Sequence, residues 1–343
     1  MHLKTCVRTI CLALACVSAV GMAGPPPLPR LKLDPARVAV VGLSSGAYMA
    51  TQAQLAYPEL FPNAALVAGG PYGCAADQLR LALTTCMKGV PAVDVDALVA
   101  RALKRSATGK IGALKDLAHA RVYLLHGKDD ALVAPAVAEA AARFYRQLRD
   151  GTPGLQGMQV RDDGQRAFAH NLPVAASGDD CDKSVAPYLG HCGFDAAGAI
   201  FAQMFGRPAQ AATRARGELR TFDQDALRPG GADAFMADTG YVYLPPACLA
   251  GKTCGVVVAL HGCKQNAAAV GEAFVEDAGF NRWADVYAVA VLYPQTRASF
   301  APLNPQACWD WWGYSGADYD TRHGVQLRWL VNAVRALGLP ARH

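Results

Sequence analysis

The chain has 343 residues, of which 52% are hydrophobic and 18% charged, with a formal charge of +5 at pH 7. An average soluble protein carries roughly 25% charged residues, so the composition excludes intrinsic disorder, and the weak positive balance excludes a dedicated nucleic-acid surface. The length allows one large domain or two small ones with ample core.

At the start, Lys4 and Arg8 precede an apolar stretch from Ile10 to Val20 and small residues at Gly21 and Ala23. This predicts a secretory signal peptide over residues 1–23. The run is too short for a stable bilayer anchor, and no later stretch reaches 18 uninterrupted apolar residues, so no stable membrane insertion is expected. A lipoprotein reading at Cys16 competes, but Ala13 stands where leucine is preferred. Loss of the leader removes Lys4 and Arg8 and takes the formal charge from +5 to +3. The prolines at 25–29 then join the leader to the domain.

Beyond them, short apolar runs ending in Gly or Pro alternate with Ala-rich helical segments, which predicts an α/β fold: a mostly parallel sheet with helices on both faces. Strands are expected at 37–43, 64–70, 121–127, 255–262 and 288–294, and helices at 47–57, 94–104, 134–148, 195–204 and 322–337. Arg101, Lys104, Arg105 and Lys110 fall in one helical pattern without interleaved aromatics and read as a solvated face. The stretch 206–232, rich in Ala, Arg, Gly and Pro, reads as a lid or excursion. Residues 24–343 are expected to form a single domain, and the protein a monomer.

Eight cysteines remain after the leader, an even number that suits an oxidising compartment, either the periplasm or the medium. Sequence neighbours pair Cys74 with Cys86, Cys181 with Cys192 and Cys248 with Cys254, leaving Cys263 and Cys308; many other connectivities are open. No CxxC spacing supports a structural zinc, so no metal is expected.

The segment VAVVGLSSGAYMATQAQL is an apolar strand, then Gly42-Leu43-Ser44-Ser45-Gly46, then a helix. Small residues two before and two after Ser44 permit the tight turn that exposes a nucleophile at a helix N-terminus. The alternative is a simple Gly-Ser turn. Ser45 would contribute its backbone N–H to an oxyanion hole.

A nucleophilic serine needs a base held by an acid. His119 and His323 fall in helical segments, His191 in a cysteine loop, and His126 and His261 end strands as HG pairs that shape turns. His170, in the loop RAFAHNLP, remains. In RVYLLHGKDDALVAP the acid candidates are Asp129 and Asp130; Asp130 is preferred for the short loop before it and the apolar anchor after it. The order Ser44, Asp130, His170 is that of α/β-hydrolases.

An HG-type oxyanion strand normally precedes the nucleophile strand, yet only one strand fits between the leader and Ser44. GVVVALHGCKQN supplies the motif late, with the Cys263 N–H as the second donor. The chain order therefore predicts a circular permutation, with GLPARH returning near LDPARVAVVGLS. The alternative is that HGC is an unrelated strand end.

Taken together, GLSSG, HGKDD with its following valine, AFAHNLP, HGC and CWDWWGYS at 308–315 resemble secreted poly(3-hydroxybutyrate) depolymerases with the permuted catalytic domain. The resemblance covers nearly the whole mature chain. It implies an α/β-hydrolase fold and hydrolysis of 3-hydroxyalkanoate esters by a serine esterase. Ser44, Asp130 and His170 match the triad, and Ser45 and Cys263 the oxyanion donors. Many secreted members carry a further polymer-binding domain; the chain ends at His343 and resembles single-domain or periplasmic members.

Trp309, Trp311 and Trp312 are expected to wall a cleft for a methyl-bearing polyester; the alternative puts two of them in the core. Tyr293 and Asn304 are weaker cleft candidates. A Cys263–Cys308 disulfide would fix the oxyanion loop. No cofactor is expected, since no Walker or GxGxxG site occurs. The rival functions are a feruloyl or acetyl xylan esterase of the same fold and an inactive polyester-binding protein.

Overall fold

The computed structural model describes residues 24–340; the expected leader, Cys16 included, lies outside the described residues. Four parallel strands, β1 (Leu33–Leu43), β2 (Asn63–Val67), β3 (Arg121–Gly127) and β4 (Gln159–Arg166), come from the first half of the chain. A small sheet comes next, of β5 (Leu172–Val174), β6 (Asp179–Asp180) and β7 (Leu189–His191). The second half supplies β8 (Glu218–Asp223), β9 (Thr239–Leu244), β10 (Cys254–Leu260) and β11 (Val289–Tyr293). The main sheet has the order β4-β3-β2-β1-β10-β11-β9-β8. From β4 to β11 it is parallel, while β9 and β8 are antiparallel. This is the α/β-hydrolase fold expected from the alternating runs.

The central strands are apolar throughout because both faces are covered. Successive residues split between two cores with the period of two that a pleated strand imposes. Val38 and Val40 join Val256 and Val258 under the helices Ser45–Ala56, Pro135–Gly151 and Val325–Leu337. Ala39 and Val41 join Val257 and Ala259 under Ala196–Phe205 and Phe280–Tyr287. Every residue of the Ser45–Ala56 helix is buried, which is why its sequence shows small residues rather than an amphipathic stripe.

The first strand in the chain is thus central in the sheet, paired in parallel with an early strand on one side and a late one on the other. The two ends of the described chain also meet. Leu31 N–H donates to Leu337 O at 2.7 Å.

The stretch 206–232 does not form one excursion. Its residues 218–223 extend the sheet as edge strand β8, and none of 206–232 lines the cleft beside Ser44. Its half-polar run ELRTFD, mostly exposed or half-buried at the sheet edge, has neither a continuous apolar stretch nor a regular alternation, which hid this strand from the hydrophobic pattern. All four cysteine pairs exist as disulfides: Cys74–Cys86, Cys181–Cys192, Cys248–Cys254 and Cys263–Cys308. Among the described residues, no helix is long and apolar enough to cross a membrane.

Candidate active site

Strand β1 ends at Leu43 and the next helix begins at Ser45, so Ser44 alone makes the turn. It does so at φ 55° and ψ −120°, in a region that costs any residue with a Cβ and is characteristic of functional turns. The flanking glycines are steric requirements: a Cβ on Gly42 would lie 2.0 Å from Gly46 O, and one on Gly46 would lie 2.3 Å from Leu260 O. The Ser44 N–H donates to Val67 O at 2.9 Å, and Ser44 O accepts from Ala47 N at 2.9 Å. Ser45, at the first helical position, has an N–H without an intrahelical acceptor at the positive end of the helix dipole.

Asp129 and Asp130 sit just beyond β3. Asp130 is buried, whereas Asp129 is exposed. The Asp130 Oδ2 accepts from His170 Nδ1 at 2.7 Å, and its Oδ1 accepts from the N–H groups of Leu132 at 2.8 Å and Val133 at 2.9 Å. Gly127 lets the histidine loop approach, since a Cβ there would lie 2.0 Å from Phe168 O. That loop is braced from beneath: His170 N–H donates to Ser184 Oγ at 3.0 Å, and Ala169 N–H to Cys181 O at 3.0 Å. The Cys181–Cys192 disulfide closes the bracing segment.

His126, the strand-end histidine, sits behind the acid. Its Nε2 lies 3.1 Å from Val133 O and 3.8 Å from Asp130 Oδ2. Since a carbonyl only accepts, Nε2 carries a proton and donates to it. Burial pushes the His126 pKa down, against an opposing pull from Asp130. His126 therefore shapes the acid loop.

The HGC segment arrives beside Ser44 because β10 pairs with β1, Gly42 facing Leu260. A Cβ on Gly262 would lie 3.4 Å from Ser44 Cβ. The Gly262 N–H donates to Gln265 Oε1 at 2.8 Å and the Lys264 N–H to Gln306 O at 2.7 Å; the Cys263 N–H lies between them. His261 is fully buried. Its Nδ1 donates to Gly262 O at 2.7 Å and its Nε2 accepts from Thr296 N at 3.2 Å. Burial pushes its pKa down to about 4, partly offset by the hydrogen bond to Gly262. A neutral imidazole thus holds the turn.

Cys308, bonded to Cys263, begins the tryptophan segment. Asn304 grips it from both sides, with Nδ2 donating to Cys308 O at 3.0 Å and Oδ1 accepting from Cys308 N at 2.9 Å. Asp310 organises the next turn of chain. Its Oδ1 accepts from Gly313 N at 2.7 Å and Tyr314 N at 3.1 Å, and its Oδ2 from Ser315 N at 2.8 Å and Ser315 Oγ at 2.6 Å.

These segments enclose a cleft of about 440 Å³ that Ser44, His170, Cys263, Trp311 and Trp312 all line. Trp311 stacks on Tyr48 with centroids 4.4 Å apart and meets Trp312 edge-on at 5.7 Å. Trp309 does not line it: it is fully buried, 5.8 Å from the His261 ring. Tyr293 is likewise in the core, donating to Asn281 Oδ1 at 2.7 Å, while Asn304 lines the cleft.

Sequence reasoning missed one wall. Leu79 and Leu83 from the Cys74–Cys86 loop, and Met87 just after it, line the cleft together with Leu132 and Leu303. Four of these five leucine and methionine side chains are exposed large hydrophobics: Leu79, Leu83, Leu132 and Leu303. The run LRLAL within a cysteine loop was the available signal. Among the described residues, no group of His, Cys, Asp and Glu side chains is arranged to hold a metal ion.

Residues 239–338 match a family model described as Esterase PHB depolymerase. The chain is 36% identical over 305 residues to a poly(3-hydroxybutyrate) depolymerase of Delftia acidovorans, covering 88% of this chain and 59% of that one. It is 32% identical over 326 residues to a polyhydroxybutyrate depolymerase of Talaromyces funiculosus, covering 90% of this chain and 92% of that one. The crystal structure of PHB depolymerase from Penicillium funiculosum superposes with a TM-score of 0.80 at 30% identity, over 91% of this chain and 98% of that one. A second structure of a PHB depolymerase, complexed with an R3HB trimer, gives a TM-score of 0.80 at 29% identity.

Proposed function

The chain belongs to the poly(3-hydroxybutyrate) depolymerase family, and we propose that it is a secreted serine esterase that cleaves poly(3-hydroxybutyrate) or its oligomers at Ser44. The observation that carries this reading is one apolar cleft lined by both a strained strand-to-helix serine and a histidine hydrogen-bonded to a buried carboxylate. With Nδ1–H committed to Asp130, His170 keeps Nε2 as its basic nitrogen. It takes the Ser44 proton as Oγ attacks the ester carbonyl, and Asp130 stabilises the imidazolium that forms.

The N–H groups of Ser45 and Cys263 receive the developing oxyanion; a donor of this kind is typically worth roughly 3 to 4 kcal/mol of barrier. The alcohol end leaves with the proton from His170. Water then attacks the acyl-enzyme by the same route and frees the carboxylic acid. The aromatic wall of Trp311 and Trp312 and the exposed leucines suit a chain of methyl-bearing ester units.

Four disulfides support an oxidising destination. The contact between Leu31 and Leu337, with β10 beside β1, supports the reading of residues 24–343 as one circularly permuted catalytic domain. Incubation with amorphous poly(3-hydroxybutyrate) is expected to release 3-hydroxybutyrate or short oligomers, and a fluorophosphonate probe to label Ser44. Release of ferulate or acetate from xylan without polymer turnover would overturn the substrate assignment.

A further inference from the structure

The cleft is mostly apolar and carries one formal charge. Of its described lining residues none is an acid, and Lys264 is the one with a permanent charge. It follows Cys263, the proposed oxyanion donor, directly in sequence. Its backbone is held at φ 58°, in the left-handed region where glycine is the default, and its N–H is tied to Gln306 O at 2.7 Å. A lysine at such a position adds a side chain where the turn itself asks for none.

Two buried polar side chains of the lining are committed within the protein. Asn304 is spent on Cys308, and Gln265 links Gly262 N to Pro187 O. Lys264 itself is exposed and lines the cleft.

We propose that Lys264 forms a carboxylate subsite, which receives the acidic terminus of a short hydroxyalkanoate oligoester. The proposal deepens the esterase reading and rests on it for the identity of the ligand. Interior units of a long polyester carry no charge, so an ammonium gains nothing from them. An oligomer short enough to bring its free acid into the cleft presents the complementary charge, and each hydrolytic cut creates a new carboxylate terminus. The subsite therefore favours chain ends and short products over the middle of a polymer. Lysine suits the role as a compact charge on a flexible stem that can follow a mobile chain end.

The test uses the Ser44→Ala protein, so that binding is read without turnover, with the free acid and the methyl ester of a 3-hydroxybutyrate trimer as ligands. At about pH 8, where the acid is ionised and lysine protonated, calorimetry should show the acid binding about two- to fivefold tighter than the ester, the range of an exposed ion pair. Lys264→Gln should erase that preference by weakening the acid alone, and Lys264→Arg should retain it. Raising salt from about 20 mM to about 500 mM should shrink the preference through screening. Equal binding of acid and ester by the parent, or equal weakening of both by Lys264→Gln, would overturn the subsite. Hydrolysis of the methyl ester by the unmodified enzyme reports on the esterase reading separately: its absence, with acid preference intact, would refute the esterase and leave the subsite standing.

Discussion

The two walls of the cleft are held by different means. On the acid–base wall, the proposed reacting groups are joined by hydrogen bonds, His170 to Asp130 and Asp130 to two backbone amides, while the Cys181–Cys192 disulfide closes the segment that braces the histidine loop. On the opposite wall, the residue proposed to donate to the oxyanion is itself half of a disulfide, and its partner segment is organised by Asn304 and Asp310. The difference follows from the work proposed for each. A base that gains and loses a proton in every turnover needs a polarisable, charge-compensating partner, whereas an oxyanion donor acts by being already in place.

The largest effect should come from the acid–base wall. Ser44→Ala is expected to reduce ester hydrolysis on the order of 10⁶-fold with an unchanged melting temperature, and kinetics with a soluble oligomer would measure it. Retained activity would remove Ser44 from the mechanism and end the contrast.

Joint replacement of Cys263 and Cys308 by alanine should lower both activity and stability. The loop closed spans a sequence separation of 45, for which chain entropy gives about 4 kcal/mol. Loosening the donor should cost kcat about 10- to 100-fold, less than the roughly 100- to 1,000-fold for losing one oxyanion donor outright. Denaturant melts and kcat would show the two losses together. Loss of stability with kcat intact would mean that the disulfide acts on the fold alone.

A third, smaller effect separates the walls by pH. The His261 pKa lies at about 4 in the folded protein, below the ordinary value of 6.5, because its burial penalises the charged form. The unfolded chain therefore takes up a proton between those values and the folded chain does not, so stability falls as pH drops from about 6.5 to about 4, by on the order of 3 kcal/mol. His261→Asn should flatten that part of the stability–pH curve, as read by urea titration. An unaltered slope would assign the acid sensitivity elsewhere.

The smallest effect on activity distinguishes two tryptophans of one segment. Trp312→Ala should raise KM for oligomers several-fold, of the order expected for one lost aromatic contact, without a change in stability. Trp309→Ala should instead destabilise by about 3 to 5 kcal/mol, as for a buried large aromatic. Thermal melts beside steady-state kinetics would tell the two apart.

Much of this arrangement was legible in the sequence because it is local. The glycines around Ser44 follow from the tightness of a strand-to-helix turn, and the short loop with its apolar anchor favoured Asp130 over the exposed Asp129. The parallel sheet follows from runs that are apolar on both faces. The edge strand β8 and the small sheet beneath His170 were not legible, since short half-polar strands carry no distinctive pattern.

By itself the sequence determined the strand–turn–helix at Ser44, the alternation that builds the sheet, and the chain order that separates GLSSG from HGC by more than half the protein. Only the tertiary structure decided that the two motifs meet, which required β10 to pair with β1 in one register. It alone decided which tryptophans face the cleft, and that a cysteine loop at 74–86 supplies an apolar wall. Turn sterics and hydrophobic periodicity act between near neighbours and so are written locally. Which face a side chain presents across distant segments is settled by packing, where every neighbour comes from elsewhere in the chain.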